Sequence, residues 1–391
     1  MTCPLCGACE ASVVYSTPQA PVTCTAVFDS PEEARAVPFG RIDLAVCVEC
    51  GFAYNCSFDT ELARIGAELD VGYESSQTAS DHFSKFARGL ATDWVECYRL
   101  QGKTVVEVGS GGGDFLNELV RAGVGKVIGI DPLTPRHRAN NSIEVLNEMF
   151  SLHHLALDAE ALICRHTLEH VPNVKTFLRL VRKWTEYQPG RVVLFELPSA
   201  ERVIKESAFW DVYYEHCNYF TDGMLRRAFV QADLRLVRLD TVYDGQYFLA
   251  EATASNGSVA ADWPVPSDEL RAWTDFGTRA CAAIQRCRIM LDRFAGEGGA
   301  VVLWQGAAKT IGVLAATETT SDIDCAVDLS PGRQGRYLPG SALAVRSPSI
   351  LESLQPRHIV LMNPMYYDEV RAQMDRMNVH GELCTINELV Q

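Results

Sequence analysis

The chain has 391 residues, 47% hydrophobic and 22% charged, a globular balance that excludes a disordered, fibrous or coiled-coil protein. Its length accommodates two or three domains, each able to bury a core. Fifty acidic against 35 basic residues give a net charge of −15, which argues against a nucleic-acid polymer or an anionic membrane surface as partner.

The chain opens Met-Thr-Cys-Pro-Leu-Cys, with no basic or long apolar leader, and its apolar runs fall far short of the ~20 residues that span a bilayer. A cytoplasmic location is expected, and the 14 cysteines read as reduced thiols or metal ligands rather than a disulfide framework. Residues 1–60 hold two pairs, Cys3-Pro-Leu-Cys6 and Cys47-Val-Glu-Cys50, each followed by glycine. A two-residue spacer lets both sulfurs of a pair approach one ion from a tight turn, so Cys3, Cys6, Cys47 and Cys50 are expected to form a structural tetrahedral Zn2+ site. Four protein ligands leave no open position for catalysis. Cys9, Cys24 and Cys56 lie near enough to exchange with a ligand, and buried free thiols are the alternative.

Residues 61–255 alternate apolar β-type runs (104–108, 126–130, 161–164, 191–195, 234–239, 247–252) with helical patterns at 115–122 and 174–184, which predicts a doubly wound α/β sheet. The first run enters Glu107-Val-Gly109-Ser110-Gly111-Gly-Gly113-Asp114, a glycine turn between strand and helix. In a dinucleotide fingerprint the third glycine falls where this chain has Asp114, whose carboxylate would repel a pyrophosphate. Asp131 ends the second strand, placed to accept hydrogen bonds from both hydroxyls of a ribose. The constellation of Glu107, Gly109–Gly113 and Asp131 resembles motifs I and II of class I S-adenosylmethionine (SAM) methyltransferases. SAM is therefore the expected cofactor, held by Glu107, Gly109, Ser110, Gly111, Asp131 and His166. Leu157 and Asp158 are candidates to flank the adenine.

His166-Thr-Leu-Glu-His170 follows the fourth run and resembles the corresponding motif of that superfamily, beside the methyl donor. The two imidazoles are spaced i, i+4, but the order is not the His-Glu-x-x-His of zinc proteases. Beyond the fifth run, Phe209-Trp-Asp-Val-Tyr213-Tyr-Glu215-His216 gathers aromatic, acidic and imidazole groups before a helix that Thr221 is placed to cap. Such a segment suits an active-site wall, with Glu215 placed to orient His216 and raise its basicity. A buried aromatic plug with a satisfied histidine is the structural alternative.

A linker rich in Ala, Gly, Ser and Pro (255–266) leads into a long helical stripe through Leu270, Trp273, Phe276, Ala280, Ile284, Cys287, Leu291 and Phe294. Three further βα-like units follow, which predicts a smaller C-terminal Rossmann-like domain over 256–391. Gly306-Ala-Ala-Lys309 opens a helix after a strand, a setting that suits phosphate, and Arg333, Arg336 and Tyr337 are placed to hold a diphosphate or stack on a base.

Taken together, the two cysteine pairs, the 107–114 turn, Tyr213-Tyr-Glu-His216, Gly306–Lys309 and Arg333-Gln-Gly-Arg336-Tyr-Leu-Pro-Gly340 resemble, in order and over essentially the whole chain, the zinc-containing sugar C-methyltransferases of deoxysugar and antibiotic biosynthesis. The resemblance implies a three-part α/β enzyme: a zinc module (1–60), a class I SAM-methyltransferase Rossmann-like core (61–255) and the C-terminal domain. It implies SAM-dependent methylation of a carbon beside the ketone of a nucleotide-linked keto-deoxysugar, a small-molecule substrate. His216 would be the general base, supported by Glu215, with Tyr213, Tyr73 and His170 nearby. Tyr73 lies in a Tyr-x-Ser-Ser stretch that is shorter here than the family pattern. The alternative is O-, N- or C-methylation of another small metabolite.

Overall fold

A computed structural model describes residues 2–69, 80–133, 141–255, 267–319 and 323–391. The N-terminal segment builds the antiparallel strands β1 (Ala11–Pro21), β2 (Phe39–Cys47) and β3 (Ala53–Asn55). Residues 22–38 connect the first two and contain a short helix, Pro31–Arg35, whose first turn is capped by the Ser30 hydroxyl.

The core strands are β4 (Thr104–Val108), β5 (Lys126–Ile130), β6 (Ile143–Leu146), β7 (Ala161–Arg165) and β8 (Val192–Pro198), all parallel. β9 (Asn218–Tyr219) leaves the core and pairs with β3 as the fourth strand of the N-terminal sheet. β10 (Leu234–Val242) and β11 (Tyr247–Ala254) close the central sheet in the order β10-β11-β8-β7-β4-β5-β6, with β11 antiparallel to both neighbours. This hairpin corrects the parallel reading of the last two runs. Only residues 243–246 separate them, and a parallel crossover needs a dozen or more.

The predicted stripe forms the helix Ser267–Gly296, burying Trp273, Phe276, Ala280, Cys287, Leu291 and Phe294. After it, β12 (Val301–Trp304), β13 (Cys325–Val327), β14 (Val345–Arg346), β15 (His358–Leu361) and β16 (Glu382–Thr385) make a parallel sheet ordered β14-β13-β12-β15-β16.

The N-terminal sheet does not stand alone. Tyr15, Val22, Ile42 and Leu44 share one apolar core with Trp273, Phe276, Ile311 and Leu338 of the C-terminal part. The approach is close enough that a methyl group on Gly277 would lie 1.8 Å from the Val14 carbonyl oxygen. The described strands thus form three sheets, the first completed by β9 from the 61–255 stretch, and shared apolar surface welds the first to the C-terminal part. Among the described residues, no helix is long and apolar enough to cross a membrane.

Candidate active site

The glycine turn lies at the carboxyl end of β4, where open α/β sheets bind ligands. Gly109, Gly111 and Gly113 all take positive φ (75°, 50° and 80°), and the Gly109 N–H donates to Ile130 O at 2.8 Å. A methyl group on Gly109 would sit 1.9 Å from Thr167 Oγ1, so the turn is pressed against the segment following β7. Gly109→Ala therefore combines a forbidden contact with left-handed strain of roughly 1–3 kcal/mol. Thermal melting should fall, and SAM affinity measured by calorimetry should drop at least about tenfold. Gly89→Ala, in the interior of the 81–97 helix where a methyl group meets nothing within 4 Å, should leave SAM affinity unchanged and raise melting slightly.

Asp131 ends β5 as expected. One carboxylate oxygen accepts from the Gly111 N–H (2.9 Å) and the other from the Leu133 N–H (2.7 Å), which ties the acid to the glycine turn. Ser110 is buried behind it, with its hydroxyl unpartnered among the described residues. Glu107 is 2% exposed, and its Oε2 lacks a hydrogen-bond partner among the described residues. Burial pushes its carboxyl up to about 8, although nearby Arg165 pulls the other way. A buried, unpartnered carboxylate beside a glycine turn fits a cationic group such as the ammonium or sulfonium of SAM.

Behind the turn, the ends of β7 and β8 hold charges that the sequence reading overlooked. Arg165 lies over the Phe115 ring (3.9 Å to its centroid) and pairs with the fully buried Glu196 at 2.5 Å. His166 Nε2 lies 3.2 Å from Glu196 Oε1. Burial alone would raise the Glu196 carboxyl, but Arg165 and His166 outweigh it and hold it near 2. His166 itself takes φ 46°, a left-handed kink that turns the chain from β7 into the short helical turn Leu168–His170.

The aromatic segment docks on that turn. Asn218 Nδ2 donates to Val171 O (2.7 Å), and His170 Nδ1 meets Glu215 O at 2.9 Å. A carbonyl only accepts, so Nδ1 carries the proton and His170 Nε2 is left with its lone pair. His216 is 8% exposed, 4.2 Å from the Tyr213 ring and 4.8 Å from the His170 ring, centroid to centroid. Burial, reinforced by the neighbouring imidazoles and Lys309, lowers the His216 pKa well below its usual value. The His170 ring is 40% exposed, and desolvation by the groups packed around it, with the neighbouring His166 adding to it, pulls its pKa below the usual value. Burial also keeps the Tyr213 hydroxyl protonated far into the alkaline range. The next residue, Tyr214, points the other way, fully buried against Gly40, with its hydroxyl accepting from the Asp59 N–H.

Several expected roles are corrected. The Glu215 carboxylate, expected to orient His216, accepts from the Cys24 N–H (3.1 Å), the Cys24 thiol and the Thr25 hydroxyl (3.3 Å), fastening the aromatic segment to the N-terminal 22–26 loop. The carboxylate near His216 is Glu169, whose Oε1 lies 4.0 Å from His216 Nε2. The Lys309 ammonium pairs with Asp211, on the turn that the 308–317 helix packs against. Arg333, 3% exposed, donates to Gly306 O (3.1 Å) and Thr25 O (2.9 Å). Arg336 faces Asp29 (3.2 Å), and Tyr337 bridges Phe28 through its backbone. These three residues staple the C-terminal domain to the N-terminal loop through the Arg333 guanidinium, the Arg336 ion pair and the Tyr337 backbone. Tyr73 lies outside the described residues. Asp158 accepts from Gln188 Nε2 at 2.8 Å, and the Leu157 carbonyl accepts from the Arg191 guanidinium.

The four expected cysteines do converge. Sγ–Sγ distances are 3.7 Å for Cys3–Cys50 and 3.6 Å for Cys6–Cys47, and all four sulfurs lie within 4.8 Å of one another. Tetrahedral Zn–S bonds of ~2.3 Å give edges of about 3.8 Å, so the donor set fits a zinc ion. Gly7 (φ 86°) and Gly51 (φ 78°) supply the left-handed turns that swing each pair inward.

Residues 83–239 match the family model described as a methyltransferase domain, and residues 259–386 match the C-methyltransferase C-terminal domain. The chain is 26% identical over 292 residues to the C-methyltransferase NovU of Streptomyces niveus, covering 69% of this chain and 68% of that one. Among solved structures it resembles the 1,6-didemethyltoxoflavin-N1-methyltransferase of Burkholderia thailandensis (15% identity, 54% of this chain and 98% of that one, TM-score 0.39). It also resembles the magnesium protoporphyrin IX methyltransferase of Synechocystis PCC 6803 (17% identity, 44% and 83%, TM-score 0.34). The chain is a SAM-dependent methyltransferase with a class I Rossmann-like core, and its similarities support a C-methyltransferase family.

Proposed function

We propose that the protein methylates a carbon adjacent to the ketone of a nucleotide-linked keto-deoxysugar, and that its four N-terminal cysteines hold one structural zinc. The observation that carries this reading is His216: a buried imidazole held neutral, flanked by Tyr213 and His170, on a segment docked on the turn that follows β7. A carbon next to a ketone becomes nucleophilic only when a base removes its proton, and a neutral imidazole offers the lone pair for that step. The Tyr213 hydroxyl, which stays protonated, suits the oxygen on which enolate charge develops. SAM supplies a methyl group for in-line displacement when bound. Glu107, Gly109, Ser110, Gly111, Asp131 and His166 are the residues that would hold it, and Lys309, paired with Asp211, is the C-terminal cation electrostatically coupled to His216.

Glu107 gives the cofactor assignment a signature. With its carboxyl near 8, Glu107 is largely protonated at pH 7 in the free protein, and a cation beside it favours the ionised form. SAM binding should therefore release a proton and tighten as pH rises from about 6 to about 8, levelling off above. Calorimetry in buffers of different ionisation enthalpy reads the proton, and Glu107→Gln should flatten the pH dependence. Without ligand the sign reverses. The folded state keeps a proton that the unfolded state releases above pH 4.5, so stability contributed at low pH is lost as pH rises through 8.

The substrate reading is tested by incubating the protein with methyl-labelled SAM and a panel of nucleotide-linked keto-deoxysugars, then locating the label by NMR. Label on carbon supports the proposal. Label on oxygen or nitrogen, or none with any keto-sugar, overturns it.

A further inference from the structure

Glu169 is 2% exposed, and neither carboxylate oxygen has a hydrogen-bond partner among the described residues. Three imidazoles surround it instead. His166 Nδ1 lies 3.9 Å from Oε1, and His170 Nε2 and His216 Nε2 each lie 4.0 Å from the same oxygen. A buried carboxylate without donors is costly, so native proteins protonate it or bridge it to a partner. Oε1, His170 Nε2 and His216 Nε2 form a triangle with no side longer than 4.8 Å. Two sides are 4.0 Å and the third no longer than 4.8 Å, so a point roughly 1.3–1.6 Å off the plane lies about 2.8 Å from all three corners, the distance at which one water hydrogen-bonds to each.

A metal ion fits less well. Nitrogen and oxygen ligands at ~2.0–2.2 Å from one ion lie about 3.0–3.5 Å apart, closer than these atoms. The cysteine cluster of the same molecule already has the spacing of an occupied zinc tetrahedron.

We infer that Glu169 is the terminal proton acceptor of the active site, taking through one bridging water the proton that His216 removes from the substrate. The inference rests on the C-methylation reading and adds the group that resets its base. The substrate C–H bond breaks and its electron pair remains as the enolate. The imidazole takes the proton, and the Nε2 hydrogen facing Glu169 passes by way of the water to the carboxylate, which becomes the neutral acid. His216 ends uncharged and Glu169 later releases the proton to solvent. Affinities run the right way: burial depresses His216 and raises the Glu169 carboxyl to about 7. The groups facing Glu169 are His166 and Cys164 from the β7 side, His170 from its own turn, Glu196 from β8, and His216, Cys217 and Tyr213 from the aromatic segment.

The test compares wild type with Glu169→Gln, which keeps the shape but cannot take a proton, and with Glu169→Asp, which keeps an ionisable carboxyl. In full-length protein carrying 13C-carboxyl glutamate, one buried carboxyl should titrate near neutrality, vanish in Glu169→Gln and shift its midpoint in His216→Ala. With S-adenosylhomocysteine bound, wash-in of solvent deuterium beside the ketone of a thymidine-diphosphate 4-keto-6-deoxyhexose should fall about 10²-fold in Glu169→Gln. Glu169→Asp should recover part of that loss, and melting should change little. A carboxyl ionised throughout pH 5–9, unimpaired wash-in in Glu169→Gln, or a second bound metal equivalent lost in that variant would each overturn the inference. A titrating carboxyl coupled to His216 with no wash-in by wild type would uphold the pairing and overturn the sugar reading instead.

Discussion

His216→Ala is expected to abolish methyl transfer, by 10²-fold to 10⁴-fold, while SAM affinity changes less than about threefold. The contrast follows from position. His216 packs against Tyr213 and His170 on the aromatic segment, whereas Glu107, the glycine turn and Asp131 are built on β4 and β5. Because burial holds the imidazole pKa far below its ordinary value, its basic form persists well into acid. Loss of rate below neutrality in wild type should therefore track the carboxyl titration at Glu169 rather than an ordinary histidine. Turnover of His216→Ala with labelled SAM, beside calorimetry, measures both quantities. Undiminished transfer would remove His216 from the chemistry.

Cys47→Ser should have the larger effect on stability. Structural zinc in small modules contributes about 10–16 kcal/mol of binding free energy near neutral pH, so losing one ligand removes much of what folds the cluster. Here the damage should travel. The Arg227 guanidinium donates to Cys50 O (3.1 Å), and β3, which follows the second knuckle, pairs with β9 only two residues beyond His216. Metal analysis should find one zinc per wild-type chain and a deficit in the variant. Hydrogen exchange should show protection lost at 44–55 and at 218–219 together. A variant that retains both metal and protection would show the four sulfurs to be plain buried thiols.

Local chemistry explains which features were legible in the sequence. Glycines after each cysteine pair and along the 109–113 turn announce positive φ, because few other residues adopt it cheaply, and five of these six adopt it while Gly112 lies between two that do. The stripe from Leu270 to Phe294 carries helical periodicity in its own composition. Long-range pairing leaves no such trace. Glu215 adjoins His216 in the chain, yet adjacent residues in this bend point apart, and the carboxylate is fastened to Cys24, some 190 residues away. Glu169 stood in plain view within Leu168-Glu169-His170, but a lone acid inside a turn gives no periodic signal. Only the docking of residues 213–219 reveals three rings around it. Arg333 and Arg336 looked like ligands for an anion because a string of basic and glycine residues does not disclose that Gly306, Thr25 and Asp29 will claim them.

The strand exchange between the N-terminal sheet and the core also constrains how the chain is made. β3 emerges from the ribosome more than 160 residues ahead of β9, an interval of roughly 10–30 s at ordinary translation rates. During that wait the nascent knuckles sit beside an unsealed strand edge, a template for pairing with neighbouring chains. Early metal capture would then guard the newborn polypeptide against mispairing, so zinc starvation during synthesis should lower the yield of soluble protein more than stripping zinc from the finished molecule.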